Sequence, residues 1–391
     1  MPDVAHGARD TAGRSTRSVF LKRAAVTGAA AATGGALAGP ATGIATRGKG
    51  AHHPSSLHDR LNRTSHWDLN VADLERSRAW YEAATPLRVA FETSADQAFP
   101  SLGIKRGRFE GYMLRDPSKD TTAPMIHLVE WKTPSPVGVA YASHANVGWN
   151  RIVVFVTDME AARQAVIANG TQPLLPTSDF IRPPLHPATP ASRYIAFTAP
   201  DPEGVFIQFF RAPPGLWGVN HNTADLDTNV PFHLGLLGFD FTLGVGNPEP
   251  SPNVYGGRGE LTTFEGIFMA VRGDQRVLHD YLEWADSRSF PTPYKEPTHR
   301  GIIRCALEVD DVEASYKILR RSEWARKRRF VLNPPEEWNF GSPFGSRPVL
   351  TFQNPEGVGF QLVQQPPYPL AQLHPFGADL FPSPKARDPK K

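Results

Sequence analysis

The chain has 391 residues, of which 40% are hydrophobic and 21% charged, and its net charge is +3 at pH 7. This composition is that of a globular protein long enough to bury two cores, and so small a net charge gives no argument for nucleic-acid binding. Cys305 is the single cysteine, which excludes an intramolecular disulfide and agrees with folding in a reducing compartment.

The first 38 residues are predicted to be an export signal. Residues 16–22 read TRSVFLK, and a mildly apolar stretch rich in Ala, Gly and Thr follows. This resembles a twin-arginine signal with Ser18 in place of the second arginine, and residues 36–38 (ALA) match a small-residue cleavage site. The stretch is too weakly apolar for a membrane anchor. We therefore expect a secreted or cell-envelope protein without stable membrane insertion, and a flexible linker at residues 39–63; the alternative is a disordered leader.

A repeat with an offset of 153 residues follows the linker. Residues 201–210 (DPEGVFIQFF) correspond to residues 354–363 (NPEGVGFQLV). An offset that several separate segments share indicates two copies of one domain. The sequence thus predicts one domain over residues 64–214, a second over residues 215–368, and a Pro/Lys-rich tail at residues 369–391.

Each copy divides again into two units. Four segments hold an extended run, then an Asp, then a helical stretch; they are residues 66–75, 151–160, 218–227 and 304–313. An Asp at that place is typical of a helix N-cap, because its carboxylate accepts hydrogen bonds from the first turn. The chain is therefore predicted to contain four units of one type, arranged as two pairs in chain order.

The first strand of each unit is predicted to be half-buried. Apolar residues such as Trp67 alternate with polar residues such as His66 and Asp68, which is the period of a strand. The polar face also carries Arg151 and Arg304. Burying such groups without partners costs roughly 1–3 kcal/mol each, so we expect a cavity on that face.

These features resemble the vicinal oxygen chelate superfamily, which includes glyoxalase I, bleomycin-resistance proteins and extradiol dioxygenases. The similarity rests on the four units, the Asp-Leu-Glu helix start, the pair Trp80-Tyr81 and the D/N-P-E-G turn, and it covers about residues 64–368. It implies an α+β fold in which four βαβββ units are paired into two similar domains with curled mixed sheets around a cavity.

Metal-binding members of that superfamily place ligands in the first and last strands of each unit. The corresponding positions are His66, His127, Arg151 and Gln208 in the first domain, and Gly218, Asp280, Arg304 and Gln361 in the second. The resemblance thus implies that His66, His127, Arg151 and Gln208 form one catalytic or ligand-binding site, with His66 and His127 as a candidate metal half-site. In the second domain, Asp280 and Arg304 are expected to form a salt bridge, which would make that half the less active one.

The cofactor stays unknown at this level. A divalent metal on His66 and His127 is one alternative, but a guanidinium beside it would repel a cation, so a pocket in which Arg151 binds an oxyanion is favoured. Arg151 could instead pair with Asp68. Two functions stay open: an exported lyase, isomerase or dioxygenase-like enzyme for a small oxygenated or aromatic metabolite, and a non-catalytic sequestration protein of the bleomycin-resistance type. The expected partner is a small-molecule ligand, and the protein is expected to be a monomer or homodimer.

Overall fold

The computed structural model describes residues 56–117, 123–174, 176–182, 192–252, 261–272, 274–284, 292–341 and 345–365. The predicted export signal, the predicted tail and most of the predicted linker lie outside the described residues. Strand β1 begins at Leu61, within the range expected to be linker. Among the described helices, none is long and apolar enough to cross a membrane.

The first two units share one order of elements, a strand, a helix and three strands. The first unit comprises β1 (Leu61–Asn70), α1 (Leu74–Ala84), β2 (Arg88–Phe99), β3 (Ile104–Arg115) and β4 (Met125–Thr133). The second comprises β5 (Gly148–Val156), α2 (Met159–Ala168), β6 (Ser178–Arg182), β7 (Ser192–Pro200) and β8 (Phe206–Arg211).

The last two units keep this order with additions. The third comprises β9 (Gly215–Asn222), α3 (Leu226–Pro231), a π-helix (Phe232–Leu237), β10 (Phe239–Pro252), β11 (Leu261–Val271) and β12 (Asp274–Trp284). The fourth comprises β13 (Gly301–Val309), α4 (Val312–Arg321), α5 (Glu323–Arg326), β14 (Val331–Leu332), β15 (Glu336–Asn339), β16 (Ser346–Gln353) and β17 (Gly359–Gln364).

An aspartate caps the helix that follows the first strand of each unit. The side chain accepts a hydrogen bond from the backbone N–H three residues on, at 2.9 Å for Asp73, Asp158 and Asp311 and at 3.2 Å for Asp225. This satisfies an N–H group of the first turn that has no partner within the helix. The predicted N-caps are confirmed.

The strands form two open mixed sheets. The first has the order β14-β16-β17-β13-β1-β4-β3-β2, with β15 paired to β16, and the second has the order β10-β11-β12-β9-β5-β8-β7-β6. Within each sheet the two units meet through their first strands, because β1 pairs antiparallel with β13 and β5 pairs antiparallel with β9. The predicted α+β fold of paired βαβββ units is confirmed.

The pairing of units differs from chain order. The first sheet combines the first unit with the fourth, and the second sheet combines the second unit with the third. Only residues 212–214 connect β8 to β9, so the chain stays in the same sheet there, whereas residues 134–147 and 285–300 are long enough to pass between sheets. Each sheet therefore draws on both residues 64–214 and residues 215–368.

The central core lies between the two sheets. Trp67 of the first sheet and Trp149 of the second are both buried, with ring centroids 6.3 Å apart, and Trp149 also contacts Phe360 of the first sheet at 5.3 Å. Successive side chains of a strand point to opposite faces. The polar residues that alternate with Trp67 therefore lie on the outer face of the first sheet, away from this core.

Candidate functional site

A cluster of buried polar side chains lies on the outer face of the first sheet. We call this face the first cup; its cluster consists of His66, Asp68, His127, Arg304 and Gln361, all buried. Strand period places His66 and Asp68 on one side of β1. In the strand registers, Asp68 lies opposite His127 on β4 and opposite Arg304 on β13. Gln361 on β17 lies two residues beyond Gly359, the residue that pairs with Arg304. Two units thus contribute to one cluster.

The carboxylate of Asp68 is the centre of this cluster. Its Oδ1 lies 2.7 Å from His127 Nδ1, and its Oδ2 accepts a hydrogen bond of 2.9 Å from Arg304 Nε. The other ring nitrogen of His127, Nε2, lies 2.8 Å from Thr93 Oγ1. Both ring nitrogens of His127 therefore have a partner, which fixes the orientation of the ring.

His66 completes the cluster on the side of β17. Its Nε2 lies 3.4 Å from Asp68 Oδ1 and 3.2 Å from Gln361 Nε2, and its Nδ1 lies 3.0 Å from Ser65 Oγ. The rings of His66 and His127 are nearly perpendicular, with centroids 5.4 Å apart. Two imidazoles and one carboxylate are thus held within contact distance of each other.

The charges of Asp68 and Arg304 offset each other. Burial would raise the pKa of Asp68, but the Arg304 guanidinium and the hydrogen bonds from His127 and His66 outweigh burial and hold that pKa well below its usual range. Burial lowers the pKa of His127, although its bond to Asp68 opposes the effect. Near neutral pH the cluster therefore contains one carboxylate, one guanidinium and a neutral His127.

A small pocket borders the cluster. Its volume is 40 Å³, and its polar lining includes His66, Ser65, Thr93 and the ion pair in which Arg63 Nε donates to Glu308 Oε2 at 3.0 Å. Side chains of Met113 and other apolar residues form the rest of the wall. A single water needs roughly 10–15 Å³ by this measure, so the pocket has room for a few waters or a small ligand.

Two atoms of the cluster have no hydrogen-bond partner among the described residues. They are Arg304 Nη1 and Gln361 Oε1, both buried. The Arg304 guanidinium also lies over the Trp338 ring, at 5.2 Å from its centroid. An unsatisfied buried donor or acceptor costs roughly 1–3 kcal/mol, so a bound group that pairs with either atom would stabilise the cluster.

The outer face of the second sheet, the second cup, holds the equivalent residues of the other two units. Arg151 Nη2 donates to Asp280 Oδ2 at 3.2 Å, and Asn220 Nδ2 donates to the backbone oxygen of Asp280 at 3.0 Å. Gln208 is buried on the same sheet. Gly218 stands where the first cup has His66, so this cup lacks that imidazole.

The structure brings together only part of the predicted site. His66 and His127 meet as expected, but Arg151 and Gln208 lie in the second cup, which corrects the expectation that all four residues share one cavity. Arg304 and Gln361 take the expected places in the first cup, because the first unit pairs with the fourth. The salt bridge of Asp280 is accordingly made with Arg151, not with Arg304.

Asp68 is the member of the cluster whose role the sequence analysis missed. It was placed on the polar face and considered as a partner of Arg151, whereas its partners are His66, His127 and Arg304. The signal was the spacing of His66 and Asp68, because residues i and i+2 of a strand share a face. The sequence could not identify Arg304 as the guanidinium partner of Asp68, because that depends on which units share a sheet.

Two solved structures of glyoxalase I from Zea mays are similar to this chain. A point variant of that enzyme superposes with a TM-score of 0.53 at 13% identity, and the unmodified enzyme with a TM-score of 0.50 at 14% identity; each match covers 77% of this chain and 92% of the other. The chain has the vicinal oxygen chelate fold. Identities this low show the fold alone. No protein-family model and no curated protein sequence matches the chain.

The metal ion known from the vicinal oxygen chelate fold does not fit the first cup. Nitrogen and oxygen atoms of His66, Asp68 and His127 lie within 4.8 Å of one another, and two imidazoles with a carboxylate are donors that suit first-row metals. However, the carboxylate already neutralises Arg304, which stands at a position that the family resemblance assigns to a metal ligand. A dication about 5 Å from a guanidinium is repelled by about 7 kcal/mol at an effective dielectric constant of 20, which offsets a large part of the attraction that the single Asp68 carboxylate supplies.

Proposed function

We propose that the protein is an enzyme that acts on a small oxygenated metabolite in the first cup. The observation that carries this proposal is the convergence of His66, Asp68, His127 and Arg304 from two different units beside a pocket. The fold supports a small-molecule site, since its similarity to glyoxalase I extends over most of the chain. Fold alone does not determine chemistry, so the side chains of the cup decide what it can do.

The cup is equipped for proton transfer. His66 borders the pocket, and its ring nitrogens contact Ser65 and Asp68. An imidazole in such a place can take a proton from a bound ligand and return it elsewhere. The Asp68 carboxylate contacts both imidazoles and orients their rings. These groups fit lyase or isomerase chemistry, in which a proton moves to or from a carbon beside an oxygen-bearing carbon.

Sequestration without catalysis is the second candidate function, and one observation favours it. The cluster satisfies its own charges through the Asp68–Arg304 ion pair, so it is stable as a fixed polar floor. Buried aromatic residues, among them Phe109, Trp131 and Trp338, pack together on the same face of the sheet. A protein that only stores a ligand needs such a floor and such aromatic residues, and releases the ligand unchanged.

A matched pair of variants tests the proposal. Gln361 and Gln208 are equivalent residues of the two cups, 361 − 208 = 153 positions apart. Purified protein is mixed with a panel of small hydroxy- and oxocarboxylates and catechols; thermal shift reports binding, and NMR of the mixture reports conversion. We expect conversion of at least one compound, loss of it in Gln361→Leu, and little change in Gln208→Leu. Binding without conversion would favour sequestration, and equal effects of both variants would reject the first cup as the site.

We also propose that the protein is exported. The twin-arginine-like pattern at residues 16–22 and the small-residue site at residues 36–38 support this. Mass spectrometry of the culture medium is expected to find a protein that begins close to residue 39, and Arg17→Ala is expected to retain the precursor in the cell. A full-length chain found only in the cytoplasm would contradict export.

A further inference from the structure

Arg304 occupies a position at which the vicinal oxygen chelate fold places a metal ligand. The other such positions in the first cup are His66, His127 and Gln361, which could all donate to a metal, so the guanidinium is the one group in the set that cannot. It is 6% exposed, and its Nε bonds the only carboxylate of the cluster. A permanent cation thus lies at the floor of the cup.

We propose that the Arg304 guanidinium replaces the metal ion of this fold and binds the carboxylate of a small ligand. This inference rests on the first cup as the site of the proposed function and names the ligand class and the group that recognises it. Asp68 holds one edge of the guanidinium through Nε. Nη1 is a buried donor without a partner among the described residues, and it is suited to a carboxylate oxygen.

The surroundings of Arg304 are built to hold its side chain in place. The guanidinium lies over the indole of Trp338, a contact that favours a cation. On the neighbouring strand, a Cβ at Gly359 would lie 2.5 Å from the Ile303 backbone oxygen and 2.8 Å from Arg304 Cγ. Glycine at 359 therefore leaves the space through which the arginine crosses the sheet surface.

Two pockets border the cluster: His66 lines the smaller one, and Arg304 lines a larger one of 190 Å³ together with Lys295 and Thr351. The pocket next to His66 is 40 Å³ and has an apolar wall that includes Met113 and Val363. The unpartnered Gln361 Oε1 offers an acceptor to a hydroxyl group. In chemical type, this acceptor and Arg304 Nη1 match a short carboxylate that bears a hydroxyl group.

The inference is tested by placing a metal-binding side chain at position 304. Arg304→His adds an imidazole to His66 and His127 and releases the carboxylate of Asp68. The matched control is Arg151→His in the second cup, where Gly218 supplies no side chain. Each protein is titrated with Co²⁺ alone and followed by visible absorption and by metal content after gel filtration. We expect the wild type and Arg151→His to retain no stoichiometric Co²⁺, and Arg304→His to bind it roughly 100-fold more tightly.

A second variant covers the case in which Arg304→His does not fold. Arg304→Gln also frees Asp68 and is expected to increase Co²⁺ binding, and it is expected to lose the binding of acetate that saturation-transfer NMR detects in the wild type. Arg151→Gln is expected to keep acetate binding. Stoichiometric Co²⁺ in the wild type that Asp68→Asn abolishes would overturn the inference. So would unchanged acetate binding in Arg304→Gln.

These outcomes separate the inference from the proposed function. If the wild-type protein binds Co²⁺ in the first cup, the proposed role of Arg304 is wrong, but the first cup can still be a small-molecule site. If the protein converts a metabolite and Gln361→Leu leaves this conversion unchanged, the first cup is not the active site.

Discussion

Tyr141 and Tyr294 stack on each other, 294 − 141 = 153 residues apart, with ring centroids 3.9 Å apart and planes within 8° of parallel. The hydrogen bonds are reciprocal: the backbone N–H of Tyr141 donates to Tyr294 Oη at 2.7 Å, and that of Tyr294 donates to Tyr141 Oη at 3.1 Å. Both tyrosines lie in the links that carry the chain between sheets. Equivalent residues of the two sequence repeats are therefore in direct contact. We call this stacked pair the tyrosine clasp.

The clasp requires glycine at the start of β5 and of β13. Gly148 and Gly301 have φ angles of 123° and 115°, and a Cβ there would lie 2.6 Å from Tyr141 Oη and 2.7 Å from Tyr294 Oη. We expect Gly148→Ala to lower the free energy of unfolding by about 2–4 kcal/mol, because strain of about 1–3 kcal/mol is added to loss of the contact. Urea unfolding measures this change.

Gly170 provides the control for the clasp. It also has a positive φ, 85°, but a Cβ there meets no atom within 4 Å. Gly170→Ala therefore pays backbone strain without disturbing a neighbour. If both substitutions destabilise the protein equally, the tyrosine clasp contributes nothing of its own.

The Asp68–Arg304 pair is expected to behave as a buried ion pair in mutational cycles. Asp68→Asn leaves the guanidinium without its counter-charge, and we expect a loss of about 3–5 kcal/mol in the free energy of unfolding. The double variant Asp68→Asn/Arg304→Gln removes both charges, so its loss is expected to be smaller than the sum of the single losses. Additive losses, measured by urea unfolding at pH 7, would show that the two groups do not act together.

Burial of three histidines between the sheets predicts sensitivity to acid. Burial lowers the pKa of His233 and of His279 to about 3, and that of His221 well below its usual range. A histidine whose folded pKa is depressed stabilises the fold above its unfolded pKa of about 6.5, and this contribution is lost as the pH falls. Below pH 6.5, each of these histidines is expected to lower the free energy of unfolding by about 1.4 kcal/mol for every pH unit.

A comparison of variants isolates this effect. His233→Asn keeps a side-chain donor for the Asn229 backbone oxygen, which His233 Nδ1 contacts at 2.7 Å. Below pH 6.5 the free energy of unfolding of His233→Asn is expected to fall less steeply than that of the wild type, by about 1.4 kcal/mol per pH unit. The control is a buried neighbour that does not titrate: Phe232→Leu is expected to keep the wild-type slope.

The sequence predicted much of this fold because the evidence for it is local. Alternation along a strand, as at Trp67 and His66, and the aspartate caps depend on neighbouring residues. The 153-residue offset also identified equivalent positions correctly. The offset does not show which units share a sheet, because residues at equivalent positions are chemically alike. A cup would contain an arginine at this position whether Arg151 or Arg304 supplied it. The Asp68–Arg304 pair depends on that long-range choice, and so only the structure reveals it.

Two equivalent turns, one with an aspartate and one with an asparagine, provide the last prediction. Asp201 Oδ1 accepts hydrogen bonds from the backbone N–H groups of Glu203 and Val205, both at 2.9 Å. Asn354, 354 − 201 = 153 residues later, accepts the same pair from Glu356 and Val358 at 3.0 and 2.9 Å. The turn therefore forms with either side chain, and the two differ in charge.

Asp201 is expected to weaken the fold as the pH rises towards neutrality. Burial raises its pKa to about 7, although hydrogen bonds from Val205 and Tyr81 oppose the shift. An acid whose folded pKa is raised stabilises the fold fully below its unfolded pKa of about 3.9, and the contribution is lost as the pH rises to 7. Asp201→Asn removes this dependence, and its amide can donate to Tyr81 Oη, which now lies 3.0 Å from Asp201 Oδ2.

The variant Asp201→Asn should therefore gain on the wild type as the pH rises. Between pH 5 and pH 7 the difference in free energy of unfolding is expected to shift in favour of the variant by about 2–3 kcal/mol, at about 1.4 kcal/mol per pH unit. Urea unfolding at the two pH values measures it. Asn354→Asp is the reciprocal variant: its new carboxyl is expected to weaken the fold increasingly as the pH rises, in addition to a pH-independent loss of the hydrogen bond from Asn354 Nδ2 to Asn229 Oδ1. A constant difference between wild type and Asp201→Asn would mean that Asp201 ionises in the folded protein as it does in the unfolded chain.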